Sequence, residues 1–165
     1  MAPSRPEHSD RREIPSSTGT YALILHSHHR RLLQAGKLGT FYLLPGWYVY
    51  IGSAFGPGGL RARCFHHRTS AGRPHWHIDY LRLAAQPEAV WFTTDPVRRE
   101  HQWAELMPSL RQALNPCPRF GASDCRCQSH LVFFPSRPEI RSFRMEIRSC
   151  FPGHGPIRSH WFAAI

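Results

Sequence analysis

Residues 46–68 read GWYVYIGSAFGPGGLRARCFHHR and combine a strand, a turn and a helix in one short stretch. The aromatic and β-branched residues at 47–51 favour a pleated, half-buried strand. The glycine-rich segment 52–59 is a turn by composition, and residues 60–68 contain no helix breaker. The stretch therefore predicts a strand that turns directly into a helix.

Apolar runs on either side of this stretch predict an α+β domain. A third helix is expected to open at Asp95, as its N-cap, with Pro96 at the first helical position, and to continue to about Leu114. Apolar residues recur in it at helical spacing and leave Glu100 at the edge of the apolar stripe. The other predicted elements are strands at 21–25, 41–44, 89–92 and 131–134 and a helix at 77–83.

The two ends of the chain differ from its middle in composition. Residues 1–17 are rich in proline, serine and charge, so they cannot offset their ordering entropy by burial and are predicted to be a disordered arm. Residues 18–135 carry the predicted domain. Residues 136–165 have weaker periodicity and are interpreted as a C-terminal extension of uncertain order.

Charge indicates the class of partner. The 165 residues suit one domain, and 21 basic against 11 acidic residues give a net charge of +10, which favours a polyanion such as nucleic acid. Lys37 is the only lysine, so arginine, which forks onto phosphate, supplies nearly all the positive charge. A codon bias towards arginine is the alternative cause and leaves the electrostatic consequence unchanged.

Hydropathy and cysteine usage indicate the compartment. The chain contains no apolar run of about 18 residues and no apolar leader, so we expect a cytoplasmic protein without a membrane span. Five cysteines, an odd number, fit free thiols or a metal site better than a disulfide framework. No small-molecule cofactor is expected, and the sequence leaves the oligomeric state open.

Two triplets and a spaced pair on the first helix carry a family resemblance. GTY at 19–21 and YIG at 50–52 precede Arg63 and His67, and this order resembles the GIY-YIG nucleases, with Thr20 replacing the eponymous isoleucine. The strings GKLG, HWHIDYL and FGASDCRCQSHL are similar to the Uri-type endonuclease branch, which includes the DUF123 family.

The resemblance implies a fold and a reaction. The fold is an α/β sandwich of the α+β class, with a small, mainly antiparallel sheet of three strands, flanking helices and an extra C-terminal strand. The reaction is metal-dependent hydrolysis of DNA phosphodiester bonds by an endonuclease that uses one Mg²⁺ or Mn²⁺ ion, in DNA repair or processing.

The resemblance also implies catalytic roles. Glu100 is the metal ligand, because Mg²⁺ prefers hard carboxylate oxygens. Arg63 donates a pair of N–H groups to the scissile phosphate, and His67 shares that phosphate or relays a proton. Tyr21 orients the attacking water and takes its proton, with Tyr50 hydrogen-bonded in the same cluster. Since a tyrosine pKa of about 10 makes a poor base, nearby cations are expected to favour the phenolate.

Further residues are assigned to substrate binding on the same basis. They are Gly52, Ser53, Arg61, His66 and His75. Three of the catalytic assignments have a structural alternative: Tyr21 and Tyr50 can fill the core, and Glu100 can be a solvated helix charge. For Asp79, in HWHIDYL, the structural role is the favoured one.

Two other functions remain open. Thr20 and the lack of an asparagine where many family members carry one suit a nucleic-acid-binding module on the same scaffold without turnover. A zinc-stabilised interaction protein is the third reading, since thiolates and imidazole are zinc ligands, although the C-x-C spacing departs from the usual knuckle. Its ligands would be Cys117, Cys125, Cys127 and His130.

Overall fold

The computed structural model describes residues 14–69 and 72–163. The strands in this part of the chain are β1 (Gly19–Ser27), β2 (Arg31–Gln34), β3 (Thr40–Leu43), β4 (Gly46–Ala54), β5 (Gln86–Thr93), β6 (Leu131–Phe134) and β7 (Arg158–Trp161). The α-helices are α1 (Gly59–Thr69), α2 (His77–Leu81), α3 (Glu100–Leu106) and α4 (Ile140–Cys150). None of these helices has the length and apolar character that a membrane span requires.

A five-stranded sheet organises the domain. Its strand order is β6-β4-β1-β5-β7, and each neighbouring pair is antiparallel, while β2 and β3 form a separate hairpin. The protein is thus an α+β protein. The register places Tyr21 opposite Gly52 on one side and Phe92 on the other, so the two sequence triplets meet at one end of the sheet.

The central strand β1 divides the core into two layers. Alternate side chains point to opposite faces of a strand, and Tyr21 and Leu23 accordingly pack with α1, α2 and the hairpin, whereas Ala22 packs with α3 and α4. In the second layer the buried rings of Trp103 and Phe143 meet edge to face with centroids 4.9 Å apart. Both faces of β1 are buried, which explains its continuous apolar sequence.

The sheet is larger than the three strands expected. β6 occupies the position of the predicted extra C-terminal strand, and β7 adds a fifth strand by pairing with β5. The sequence does not predict β7, because its residues, RSHW, form a short strand that is only half-buried and shows no apolar pattern. Residues 136–165 therefore contribute α4 and β7, and α4 buries Phe143 and Ile147 on its apolar face.

The third helix is shorter than predicted. Asp95 does not cap it: its carboxylate accepts the N–H of Val97 and of Gly155 and pairs with the Arg99 guanidinium. The helix begins at Glu100 and gives way at Met107–Ser109 to a 3-10 turn that contains a proline. A proline lacks the N–H that would continue the α-helix.

The predicted disordered arm ends earlier than residue 17. Residues 1–13 lie outside the described residues, but Ile14 is buried and the carbonyls of Pro15 and Ser17 accept the backbone N–H groups of Arg61 and Leu60. Because the first N–H groups of a helix lack partners within it, these bonds satisfy the start of α1 and make residues 14–17 part of the domain.

Candidate active site

Two tyrosines face each other on neighbouring strands, and a glycine makes room for one of them. The rings of Tyr21 on β1 and Tyr50 on β4 have centroids 6.5 Å apart. A Cβ added at Gly52 would collide with the Tyr21 hydroxyl. The glycine of the second triplet is therefore needed for the position of the tyrosine of the first.

Replacing Gly52 by alanine is expected to destabilise the fold by about 1–3 kcal/mol, because the added methyl group forces the buried Tyr21 ring to move. Urea denaturation would measure this loss. Gly56→Ala is the matched control, since a Cβ there meets open space. Equal stabilities for the two variants would contradict the steric role of Gly52.

Tyr21 is hydrogen-bonded to His67 on α1. Their Oη and Nε2 atoms lie 2.6 Å apart, and the two side chains are 2% and 1% exposed. Burial, reinforced by the charges of Arg82, His66 and Arg63, lowers the pKa of His67 to about 3. The imidazole is thus neutral near pH 7, and its Nε2 atom can accept the hydrogen bond of the phenol O–H.

The environment of both tyrosines favours the neutral phenol. Burial raises the pKa of Tyr21 well above its ordinary value, and it raises the pKa of Tyr50 as well. The Arg63 guanidinium lowers the pKa of both phenols, whereas the Glu100 carboxylate raises both. The expected stabilisation of a Tyr21 phenolate by nearby cations is therefore outweighed by burial.

Arg63 lies at the edge of this cluster, on α1. Its guanidinium stacks on the Trp76 ring, with the central carbon 4.7 Å from the ring centroid. A cavity of about 220 Å³ opens beside the pair and is also lined by Ala54, Gly56, Pro57, Gly59, Ala62 and His66. The aromatic ring orients the guanidinium in a concave, basic part of the surface.

Glu100, the first residue of α3, is held by two hydrogen-bonding partners. Its Oε1 atom lies 3.1 Å from Nδ1 of His130, and its side chain is 23% exposed. Burial acts to raise the pKa of this carboxyl, but hydrogen bonds from His130 and Ser53 outweigh it and leave the pKa below its ordinary value. Glu100 is therefore ionised near neutral pH.

Thr20 explains how the start of α3 is fixed. This fully buried residue accepts the backbone N–H of Arg99 on its hydroxyl oxygen, at 3.1 Å. Arg99 directly precedes Glu100, so the bond ties β1 to the residue that begins the helix. An isoleucine at position 20 would have no acceptor, and the departure from the expected triplet thus has a structural role.

Replacing Thr20 by valine, which keeps the side-chain shape but removes the acceptor, is expected to shift Glu100. If Glu100 takes part in catalysis, DNA cleavage should fall between about tenfold and a hundredfold, the cost of small misplacements in an active site. Thr20→Ser retains the hydroxyl and should retain most of the rate. Equal rates for the two variants, measured on one DNA substrate, would exclude this positioning role.

The residues assigned to substrate binding have different surroundings. Ser53 hydrogen-bonds Glu100, and His66 Nε2 lies 3.6 Å from Asp79 Oδ1. The exposed His75 lines a cavity of about 170 Å³ together with Tyr50. Arg61, in contrast, donates from Nε to the carbonyl of Ile14 and so holds the N-terminal segment.

The contacts of Asp79 fit the structural role that its sequence context predicts. Its Oδ2 atom accepts the backbone N–H groups of His75 and Trp76 at the start of α2, at 3.0 and 2.9 Å. His66 and Arg82 flank its other oxygen. The carboxylate thereby fixes the loop that presents Trp76 to Arg63.

Two partners in the cluster were not found by sequence reasoning. Trp76 supports Arg63 from a different element, and His130 holds Glu100 from the residue before β6. Trp76 belongs to the HWHIDYL motif, but neither contact follows from spacing along the chain.

A second group of polar side chains adjoins Glu100 through His130. One ligand atom from each residue of this group lies within 4.8 Å of those of all the others, so the group could hold a metal ion; its members are His101, Cys125, Cys127 and His130. Cys117, expected among the ligands, is not a member. Its buried thiol points to the Pro118 carbonyl instead, and His101 takes the fourth place.

Comparison with known proteins identifies a family without an assigned function. No curated protein and no solved structure matches the chain. The family described as "Domain of unknown function DUF123" matches residues 20–151, a span that includes Thr20 and Tyr21 of the first triplet, the whole second triplet, α1 and the group formed by His101, Cys125, Cys127 and His130. Since this match covers most of the 165 residues, the chain belongs to the DUF123 family.

Proposed function

We propose that this protein is a metal-dependent DNA endonuclease that hydrolyses phosphodiester bonds with a GIY-YIG type of site. The observation that carries the proposal is the Tyr21–His67 hydrogen bond of 2.6 Å, whose phenol is influenced by the charges of the Arg63 guanidinium and the Glu100 carboxylate. In-line hydrolysis of a phosphodiester requires these functions: proton removal from water, a phosphate clamp and stabilisation of the leaving oxygen.

Arg63 is the proposed phosphate clamp. Its planar guanidinium can donate two parallel N–H groups to phosphoryl oxygens, a geometry that lysine cannot reproduce. Stacking on Trp76 fixes the plane of the guanidinium, and the adjoining cavity has room for part of a DNA backbone. His75 and Tyr50 line a second cavity next to Trp76, so the strand can continue past the clamp.

Tyr21 and His67 are the proposed proton path. The attacking water transfers a proton to the Tyr21 oxygen while the phenol proton moves to Nε2 of His67, so Tyr21 need not exist as a phenolate beforehand. Arg63 is among the causes that lower the pKa of His67 after burial. A phosphate bound to Arg63 offsets that charge and makes His67 a better proton acceptor during the reaction.

Glu100 suits a hard divalent cation. It is ionised and partly exposed, and hydrogen bonds to Ser53 and His130 hold its orientation. Mg²⁺ or Mn²⁺ bound there would neutralise charge on the phosphoryl and leaving oxygens. Water completes the coordination of Mg²⁺ in many sites, so a single protein carboxylate is sufficient.

The charge of the chain supports a nucleic-acid substrate. A net charge of +10 releases counterions from DNA on binding, so affinity should fall steeply with salt. Arginine stacked on aromatic rings recurs over the surface, as in Arg30 on Tyr42 and Arg98 on Phe55. Such pairs can contact both phosphate and unstacked bases.

The test is cleavage of labelled single-stranded, duplex and flap DNA by the purified protein, with Mg²⁺ or Mn²⁺ added or omitted. Cleavage that requires the added cation supports the proposal and identifies the DNA structure preferred. Salt-sensitive binding without cleavage of any of these substrates would reject it in favour of a DNA-binding module.

A further inference from the structure

Two thiols and two imidazoles lie around one point in the group formed by His101, Cys125, Cys127 and His130. Ligand atoms of a tetrahedral zinc site lie roughly 3.3–3.8 Å apart, given Zn–N and Zn–S bonds of about 2.0 and 2.3 Å. The Cys125 Sγ and His130 Nε2 atoms are 3.3 Å apart, and all four ligand atoms lie within 4.8 Å of one another. A single ion can therefore reach every member after small side-chain movements.

The chemistry of the ligands selects the metal. Thiolate sulfur is a soft ligand, and a set of two sulfurs and two nitrogens is typical of tetrahedral zinc, whereas Mg²⁺ prefers oxygen. In an iron–sulfur cluster bound by two cysteines and two histidines, the cysteines bind one iron and the histidines bind the other. The short distances among all four atoms fit one ion instead.

His130 is already oriented as a ligand. Its Nδ1 atom faces the Glu100 carboxylate at 3.1 Å and the Ile51 carbonyl at 3.2 Å, both of which are acceptors. The proton of the neutral ring is thus held on Nδ1, and the lone pair on Nε2 points towards Cys125. Histidines that bind metals commonly donate their other N–H to a carboxylate or a carbonyl in this way.

Arg119 holds the loop that carries the two cysteines. Its guanidinium donates to the carbonyls of Ala122, Cys125 and Cys127, at 2.6, 2.7 and 2.6 Å. The Arg119 backbone N–H donates to the Gln128 carbonyl at 2.6 Å. These bonds to Arg119 hold the backbone of residues 122–128 in a compact loop. The C-x-C segment in this loop can therefore present both thiols to His130 despite its unusual spacing.

We propose that these side chains form a zinc site in which Zn²⁺ is bound by two thiolates and two imidazoles, from Cys125, Cys127, His101 and His130. The site joins the start of α3 to the cysteine loop and to β6. A cleft of about 500 Å³, lined in part by His101, Cys127 and Arg126, gives the ion a path from solvent.

The zinc site is coupled to the proposed catalytic carboxylate. Glu100 and His101 are consecutive on α3, and His130 binds Glu100 through one nitrogen and the metal through the other. Zinc would thus orient Glu100, which is the one element of this inference that rests on the proposed function. Zinc binding itself does not depend on whether the protein cleaves DNA.

The test is metal content, measured by elemental analysis of the protein purified without chelator. We expect about one zinc ion per chain in the wild type, as for a four-ligand site. The double variant Cys125→Ser, Cys127→Ser should contain less than about a tenth of that amount, since it lacks both thiolates. Cys150→Ser is the matched control, because that cysteine is exposed and lies outside the group, and it should keep its zinc.

A milder variant guards against failure of the double variant to fold. His101 is exposed, so His101→Ala should leave the domain folded, yet weaken zinc binding by at least about tenfold in a competition titration with a chelating dye. His29→Ala, at another exposed histidine, should not change the affinity. Circular dichroism of each variant separates metal loss from unfolding.

Three results would overturn the proposal. The first is a wild-type protein that contains no zinc and takes up none when Zn²⁺ is added. The second is zinc retained in full by the folded double variant. The third is a Cys125–Cys127 disulfide in protein prepared under reducing conditions. Cleavage assays play no part in this test, so its failure and a failure of the nuclease proposal can be distinguished.

Discussion

Replacing Glu100 by glutamine is expected to lower the rate of DNA cleavage by about a thousandfold or more, because metal-ion stabilisation supplies several kcal/mol of barrier reduction and each 1.36 kcal/mol is a factor of ten. The amide keeps the size of the side chain and can still meet Ser53 and His130, but it is a poor ligand for Mg²⁺. DNA binding should survive, since Arg63 and the overall positive charge are unchanged. Single-turnover cleavage and gel-shift assays measure the two effects separately.

Glu105→Gln is the matched control for this variant. It makes the same chemical change on the same helix at an exposed position. Its cleavage rate should stay near that of the wild type. If Glu100→Gln cleaves DNA as fast as Glu105→Gln, the carboxylate does not take part in catalysis. Zinc content should be measured in both variants, because Glu100 contacts His130, one of the two histidines of the proposed zinc site.

The parts of the fold that could be predicted are those whose signal is local. β1 has a buried apolar run, β4 and α1 adjoin a glycine-rich turn, and β6 is a short apolar segment that matches its predicted bounds. β7 could not be predicted in this way, since its residues are only half-buried and are held in place by β5. The start of α3 also depends on residues that are distant in sequence. The Asp95 carboxylate accepts the backbone N–H of Gly155, and the Thr20 hydroxyl accepts the backbone N–H of Arg99.

The candidate site likewise combines residues that the sequence identifies with residues that only the folded structure brings together. The sequence suggests Tyr21, Tyr50, Arg63 and His67 because the two tyrosines belong to the triplets and the order of all four resembles that of the GIY-YIG nucleases. The metal-binding group could be named only in part, since His101 approaches the cysteine loop through the packing of α3 and not through sequence spacing. Cys117 is a candidate ligand in the sequence because it carries a thiol, but that thiol packs in the core layer that contains Tyr21.

Replacing Tyr21 by phenylalanine is expected to reduce the cleavage rate by about a hundredfold to ten-thousandfold, the range found when a general acid–base group is removed. The ring still fills its buried site next to Gly52, but the variant lacks the oxygen that, in the proposed mechanism, accepts the proton from water and passes one to His67. Affinity for DNA should change little, since a phenol without charge adds little to phosphate binding. Single-turnover rates at saturating protein measure the chemical step.

The loss of cleavage rate must be separated from a loss of stability. The variant leaves Nε2 of the fully buried His67 without its hydrogen-bond partner, which should lower the free energy of unfolding by about 1–3 kcal/mol. Thermal unfolding should therefore be followed, and the rates compared well below the midpoint. Tyr42→Phe on the exposed face of the hairpin is the matched control and should affect neither quantity. Gly52→Ala supplies a second comparison, since it disturbs the same ring but keeps the hydroxyl. If Tyr21→Phe is destabilised yet cleaves DNA at the rate of the wild type, the Tyr21–His67 bond serves the core alone and the proton must leave the water by another route.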